Sequence, residues 1–113
     1  MHEMALTEGV LRLIEEQAAV QDFGRVRAVW LEIGELSVVD PEALRFCFEA
    51  IRGGTIADGA RLEIIRVPGQ AFCMGCNTSV HVAQRYDFCP QCGGGSLQVT
   101  GGSEMRVKEL EVE

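Results

Sequence analysis

Positive charge is scarce in this 113-residue chain: ten Lys and Arg stand against seventeen Asp and Glu, a formal net charge of −7. That sign opposes phosphate neutralisation and argues against nucleic acid as a partner. Long apolar runs are missing too. Stretches such as Val29-Trp30-Leu31 are broken by charge within a few residues, far short of the roughly 18 residues that span a bilayer, so no membrane segment is expected and the chain should be soluble. The opening Met1-His2-Glu3-Met4 has neither a basic nor an apolar region of the secretory kind, so a cytoplasmic location is expected. Histidine is limited to His2 and His81. No Ser, His and acid set is at hand to build a nucleophile, and an enzyme is not expected. The length suffices for one modest core with a small satellite lobe.

What is present divides unevenly. Residues 68–100 hold one Arg (Arg85), one Asp (Asp87) and five of the thirteen glycines, while the rest carries nearly all the charge. Pro68-Gly69 and Gly101-Gly102 punctuate the change. The expected organisation is an α/β lobe formed by 1–67 together with 103–113, and an inserted lobe over 68–102. In the first, Leu6, Val10, Leu13, Ile14 and Ala18 recur at helical spacing, predicting an amphipathic helix over 4–21 that ends near Gly24. Arg25 to Ile33 is rich in strand formers with apolar residues on both faces, as in a strand covered on both sides for part of its length. Asp40-Pro41-Glu42 supplies an N-cap, a Pro for the first helical position and a first-turn acid ahead of Leu44, Cys47, Phe48 and Ile51, and Gly53-Gly54 stops that second helix. Strands follow over 61–67 and 105–112. The fold class is α+β: a small sheet of about three strands with two helices, the first two strands parallel through a right-handed crossover, plus an inserted zinc-ribbon-like lobe.

Five cysteines form an odd set, and four of them make two Cys-x-x-Cys pairs, Cys73/Cys76 and Cys89/Cys92, separated by twelve residues. This spacing suits a four-thiolate structural zinc site better than a disulfide framework, because each turn lets two thiolates converge on one ion held tetrahedrally. A redox dithiol, an iron centre or a metal-free surface are the competing readings. A lobe of this size gains little from burial alone, whereas structural zinc contributes roughly 10–16 kcal/mol in peptide-sized modules. Asn77 and Gly93 tolerate the left-handed backbone that such knuckles use, and Phe72, Val80, Tyr86 and Phe88 are expected to pack around the site. Cys47 falls in the apolar stripe of the second helix and reads as a small buried hydrophobe.

At the head of the chain, the Met1 amine, the His2 amide nitrogen and the His2 imidazole can close adjacent chelate rings, with Glu3 offering a further nitrogen or a carboxylate. Nitrogen-rich sets of this kind suit Ni²⁺ or Cu²⁺. On these residues alone a frayed terminus is the commoner outcome.

Met1-His2-Glu3-Met4, the run Ile33-Gly34-Glu35-Leu36-Ser37, the segment Pro41-Glu42-Ala43-Leu44-Arg45-Phe46-Cys47-Phe48-Glu49 and the paired Cys-x-x-Cys motifs together resemble the HypA/HybF family of hydrogenase maturation proteins, essentially end to end. The resemblance implies a nickel metallochaperone that serves [NiFe] hydrogenase. Ni(II) would be cargo bound through Met1, His2 and Glu3, and Zn(II) would be structural on Cys73, Cys76, Cys89 and Cys92. Its implied partners are a HypB-type GTPase and the hydrogenase large subunit, with urease maturation proteins added in some relatives, and the protein would be a monomer or homodimer. Asp40 lies near where some relatives contribute an acid to the nickel site, although its N-cap role already accounts for it. Where some relatives have a His directly after the last zinc cysteine, this chain has Gly93. The other reading is a zinc-ribbon interaction module without nickel function.

Overall fold

The structure is a computed structural model that describes residues 2–113. Helix α1 runs Glu3–Gln21 and closes at Asp22, whose left-handed backbone lets its N–H donate to the Ala18 carbonyl. Its buried side chains are Glu3, Thr7, Val10, Leu11 and Ile14. The buried face is therefore rotated from the expected one: Leu11 replaces Leu13, which is exposed, and two polar residues enter the interior. Thr7 is tolerated there because its hydroxyl donates to the Glu3 and Met4 carbonyls at 3.1 and 2.8 Å.

Strand β1, Val26–Gly34, follows. Ala28 and Val29 point to opposite faces and are both fully buried, so the strand is covered on both sides as its composition suggests. Helix α2, Pro41–Ile51, begins where Asp40 Oδ1 accepts the Glu42 and Ala43 N–H groups at 3.0 and 3.4 Å, which satisfies two otherwise orphaned donors. It buries Leu44, Cys47 and Phe48. Arg45 and Arg52 fold back from this helix onto the carbonyls of Leu62 and Ala60.

Strand β2, Arg61–Val67, and the final strand of the chain, Met105–Val112, flank β1 in one three-stranded sheet. The Glu35 N–H donates to the Val67 carbonyl at 2.8 Å, so β1 and β2 finish side by side, as the crossover rule expects of parallel neighbours. The last strand runs the other way. The Glu113 N–H reaches the Arg25 carbonyl at 2.9 Å, and the Gly34 N–H reaches the Glu104 carbonyl at 2.8 Å.

Between these strands lies a second sheet that the sequence reading did not resolve beyond a ribbon-like lobe. Strands β3 (Gln70–Cys73), β4 (Thr78–His81) and β5 (Leu97–Gly101), with Met105–Val112 thus β6, order as β4-β3-β5 and pair antiparallel. Leu36, Ala71, Cys73, Val80, Val82 and Cys89 form its own small core. Packing divides the chain into two compact units. One holds the residues up to Leu31, Val39–Ile64 and Val107–Glu113; the other holds Glu32–Val38 and Ile65–Arg106. Within the second unit three glycines from distant segments meet. A Cβ on Gly34 would lie 2.1 Å from the Gly102 carbonyl oxygen, and one on Gly69 2.3 Å from that of Val82. One on Gly102, whose φ is +78°, would lie 2.4 Å from the Pro68 oxygen. Among the described residues no helix is long and apolar enough to cross a membrane.

Candidate metal centre

The two Cys-x-x-Cys turns face each other. Cys73 ends β3 and Cys76 lies in the turn before β4, while Cys89 and Cys92 sit in the loop before β5. All four Sγ atoms lie within 4.8 Å of one another, with Cys73 and Cys92 at 3.7 Å and Cys76 and Cys89 at 3.8 Å. A tetrahedral ion with metal–sulfur bonds of about 2.3 Å needs sulfurs about 3.8 Å apart. The quartet therefore fits a closed four-thiolate site.

The backbone is shaped for this. Asn77 and Gly93, one residue past each pair, have φ of 57° and 73°, as their residue types suggested. Each bend lets the chain turn back: the Asn77 N–H donates to the Cys73 carbonyl at 2.7 Å, and the Gly93 N–H to that of Cys89 at 2.8 Å. Amides then point at sulfur, from Cys76 to Cys73 at 3.3 Å, from Gln91 and Cys92 to Cys89 at 3.4 and 3.5 Å, and from Gly94 to Cys92 at 3.4 Å. Such donors stabilise thiolate over thiol. The amide of Cys92, with help from that of Gln91, draws the Cys89 thiol down to about 6. Cys76 is pushed up to about 12, first by its hydrogen bond with Cys92 and then by desolvation. One thiol already favours ionisation without metal, whereas its neighbour requires a cation to lose its proton.

The aromatic shell differs from expectation. Val80 is in the small core and Phe72 is half-buried, but Tyr86 is 94% and Phe88 70% exposed. A Cβ on Gly95 would lie 3.6 Å from the Phe88 ring.

Of the expected nickel residues, His2 and Glu3 sit at the start of α1 and Asp40 at the start of α2, while Met1 lies outside the described residues. His2 is exposed and its Nε2 lies 4.0 Å from Glu3 Oε2. Glu3 is buried, and the same carboxylate oxygen accepts the Asp40 backbone N–H at 3.4 Å. That hydrogen bond is the main reason its carboxyl is held below the usual glutamate range. The main chain of Asp40 thus meets Glu3, while its carboxylate is occupied in capping α2.

Sequence reasoning overlooked Glu35. Its Oε1 accepts the Gly69 N–H at 2.9 Å and pairs with His81 Nε2 at 2.8 Å, and the Gly69 bond, followed by the His81 bond, lowers its pKa. An acid directly after the glycine that ends a strand was the available signal. His81 is an exposed strand residue paired to an acid, apart from the cysteine quartet.

A model of the family described as hydrogenase/urease nickel incorporation, metallochaperone, hypA matches residues 1–112. Hydrogenase maturation factor HypA of Azotobacter vinelandii is 63% identical over 113 residues, with both chains covered completely. Hydrogenase maturation factor HypA 2 of Bradyrhizobium diazoefficiens is 60% identical over the same span, again covering 100% of each chain. The solution structure of the Ni metallochaperone HypA from Helicobacter pylori superposes with a TM-score of 0.70 at 26% identity, covering 99% of this chain and 97% of that one.

Proposed function

Since this chain belongs to the HypA family of hydrogenase and urease nickel-incorporation proteins, which are metallochaperones and not enzymes, we propose that it carries Ni(II) as cargo at the head of α1. The ligands are the Met1 amine, the His2 amide and imidazole nitrogens, and Glu3. Asp40 is a further candidate through its carboxylate. The observation that supports this reading is the buried Glu3, whose carboxylate lies between the His2 ring and the Asp40 amide. A glutamate is rarely buried unless it is paired, and here its charged oxygen is held beside the exposed His2 ring. Nitrogen ligands suit Ni(II), and a chelate at a terminus can be dismantled one ligand at a time as a receiving protein supplies its own.

The structural ion is Zn(II) on Cys73, Cys76, Cys89 and Cys92. When bound it supplies a rigid cross-link with no vacant position; the chain's own part is to aim four amides at the sulfurs and to bend at Asn77 and Gly93. The recipients are a HypB-type GTPase and the hydrogenase large subunit, with urease maturation as a second destination.

Calorimetric nickel titration of untagged protein tests the cargo reading against His2→Ala and an N-terminally acetylated form. About one equivalent should bind to wild type. Both altered forms should lose tight binding while zinc content stays constant. Affinity should fall on acidification toward about pH 6, because amine and imidazole must shed protons to ligate. Equal affinities in all three forms would leave the zinc-ribbon interaction module as the better reading.

A further inference from the structure

Helix α2 carries two phenylalanines with opposite fates. Phe48 is fully buried, but Phe46 is 73% exposed. Phe46 takes no part in that helix's inward packing, since Leu44, Cys47 and Phe48 already fill its inner face. The residues around Phe46 are not neutral. Glu42 lies one turn before it and Glu49 one turn after it, both exposed, with Ala50 beside them.

The helix does possess cations, but they are turned away. Arg45 donates to the main-chain carbonyl of Leu62 in β2, and Arg52, at the end of the helix, to that of Ala60 just before β2. Among the described residues neither Arg forms an ion pair with Glu42 or Glu49. What faces solvent is an aromatic knob between two exposed carboxylates. Such a face complements an apolar side chain flanked by Lys or Arg.

We infer that the outer face of α2, centred on Phe46 and bounded by Glu42 and Glu49, is a docking site for a basic amphipathic helix of a partner protein. A second copy of this chain is a poor occupant. A two-fold contact centred on Phe46 would set the acids of one copy against the same acids of the other, between molecules that each carry −7. The same helix is capped by Asp40, whose amide donates to Glu3, so this face belongs to the helix whose start meets the first turn of α1. Insofar as that partner receives cargo, the inference rests on the nickel reading above; the face itself does not.

The test uses full-length, zinc-loaded protein and two synthetic 18-residue amphipathic helical peptides that share one apolar stripe, flanked by Lys in one and by Glu in the other. Binding is followed by fluorescence anisotropy and mapped by amide chemical shifts. The Lys-flanked peptide should bind at least about tenfold more tightly, with shifts at Glu42, Phe46, Glu49 and Ala50. Phe46→Ala should weaken it about tenfold, and the double change Glu42→Lys with Glu49→Lys should reverse the preference between peptides. Circular dichroism and zinc content of each variant establish that it is folded. Equal binding of the two peptides, shifts confined elsewhere, or indifference to Phe46→Ala would each overturn the proposal. So would self-association of the wild type that Phe46→Ala abolishes, since the occupant would then be a second copy. Nickel titration on the same samples separates the two readings: peptide preference without nickel uptake removes the cargo site and leaves the docking face, and the converse removes only the face.

Discussion

Glu3 and Asp40 show how much can depend on one carboxylate. The Asp40 amide holds the Glu3 carboxyl below its ordinary value of 4.5, so the ionised form is bound more tightly in the folded state than in the unfolded chain. The resulting stabilisation is full above the unfolded value and is lost as pH falls through the folded one. Thermal unfolding of nickel-free Glu3→Gln against wild type should therefore show the variant less stable near neutrality, with the gap closing below about pH 4; a gap that widens in acid would contradict the assigned hydrogen bond. At Asp40 the cap and the metal-ligand roles come apart chemically. Asparagine keeps an oxygen for the Glu42 and Ala43 amides but removes the charge, whereas alanine removes both. Asp40→Ala should cost about 1 kcal/mol, measured by denaturant unfolding, and Asp40→Asn much less. If Asp40→Asn nevertheless weakens nickel binding severalfold in the calorimeter, the carboxylate belongs to the cargo site; unchanged affinity leaves it a cap. The Glu3–Asp40 contact was beyond the reach of pattern reading because it spans 37 residues. Period alone favoured Leu13 over Leu11 and gave no reason to bury an acid.

Legibility among the elements followed the strength of local chemistry. Asp40-Pro41-Glu42 is a complete start signal, and α2 begins where it says; β2 and β6 likewise run where their strand-forming residues lie. The cysteine quartet was legible from spacing, because four thiolates at those intervals have few other uses. The strands β3, β4 and β5 were not. They are four or five residues long, too short for alternation to register, and their order is set by the knuckles and by long-range pairing. The glycine contacts were equally hidden, since nothing local distinguishes Gly34 from Gly53. Yet the two should respond differently to the same change. A Cβ on Gly53 meets nothing within 4 Å, while one on Gly34 would overlap the Gly102 carbonyl at 2.1 Å. Gly34→Ala should destabilise by on the order of 3 kcal/mol through backbone displacement, whereas Gly53→Ala should change the urea midpoint by little. Equal midpoints would mean that these backbones do not pass so closely.

For the molecule as a whole, the prediction of most weight concerns the ion on the four cysteines. Purified protein should hold one Zn²⁺ per chain and resist mild chelation, because a closed four-thiolate site gives a competing ligand no point of entry. Cys73→Ser should release it. Arg85, the one Lys or Arg between residues 68 and 100, lies in an exposed turn between β4 and β5, so tryptic cleavage there should rise in the variant as the surrounding segment loosens. Retained zinc with unchanged cleavage would refute the structural role. The glycine junction adds something of a different kind. Pro68 and Gly69, where the chain enters the cysteine-bearing sheet, touch Gly102, where it leaves. The chain-closure entropy of an excursion whose two ends meet rises only slowly with its length, by about 0.6 kcal/mol per doubling. Residues 70–101 are thus a cassette: a short turn from Gly69 to Gly102 could replace them, or a longer graft could be spliced between the same two points, without asking the strands on either side to move apart.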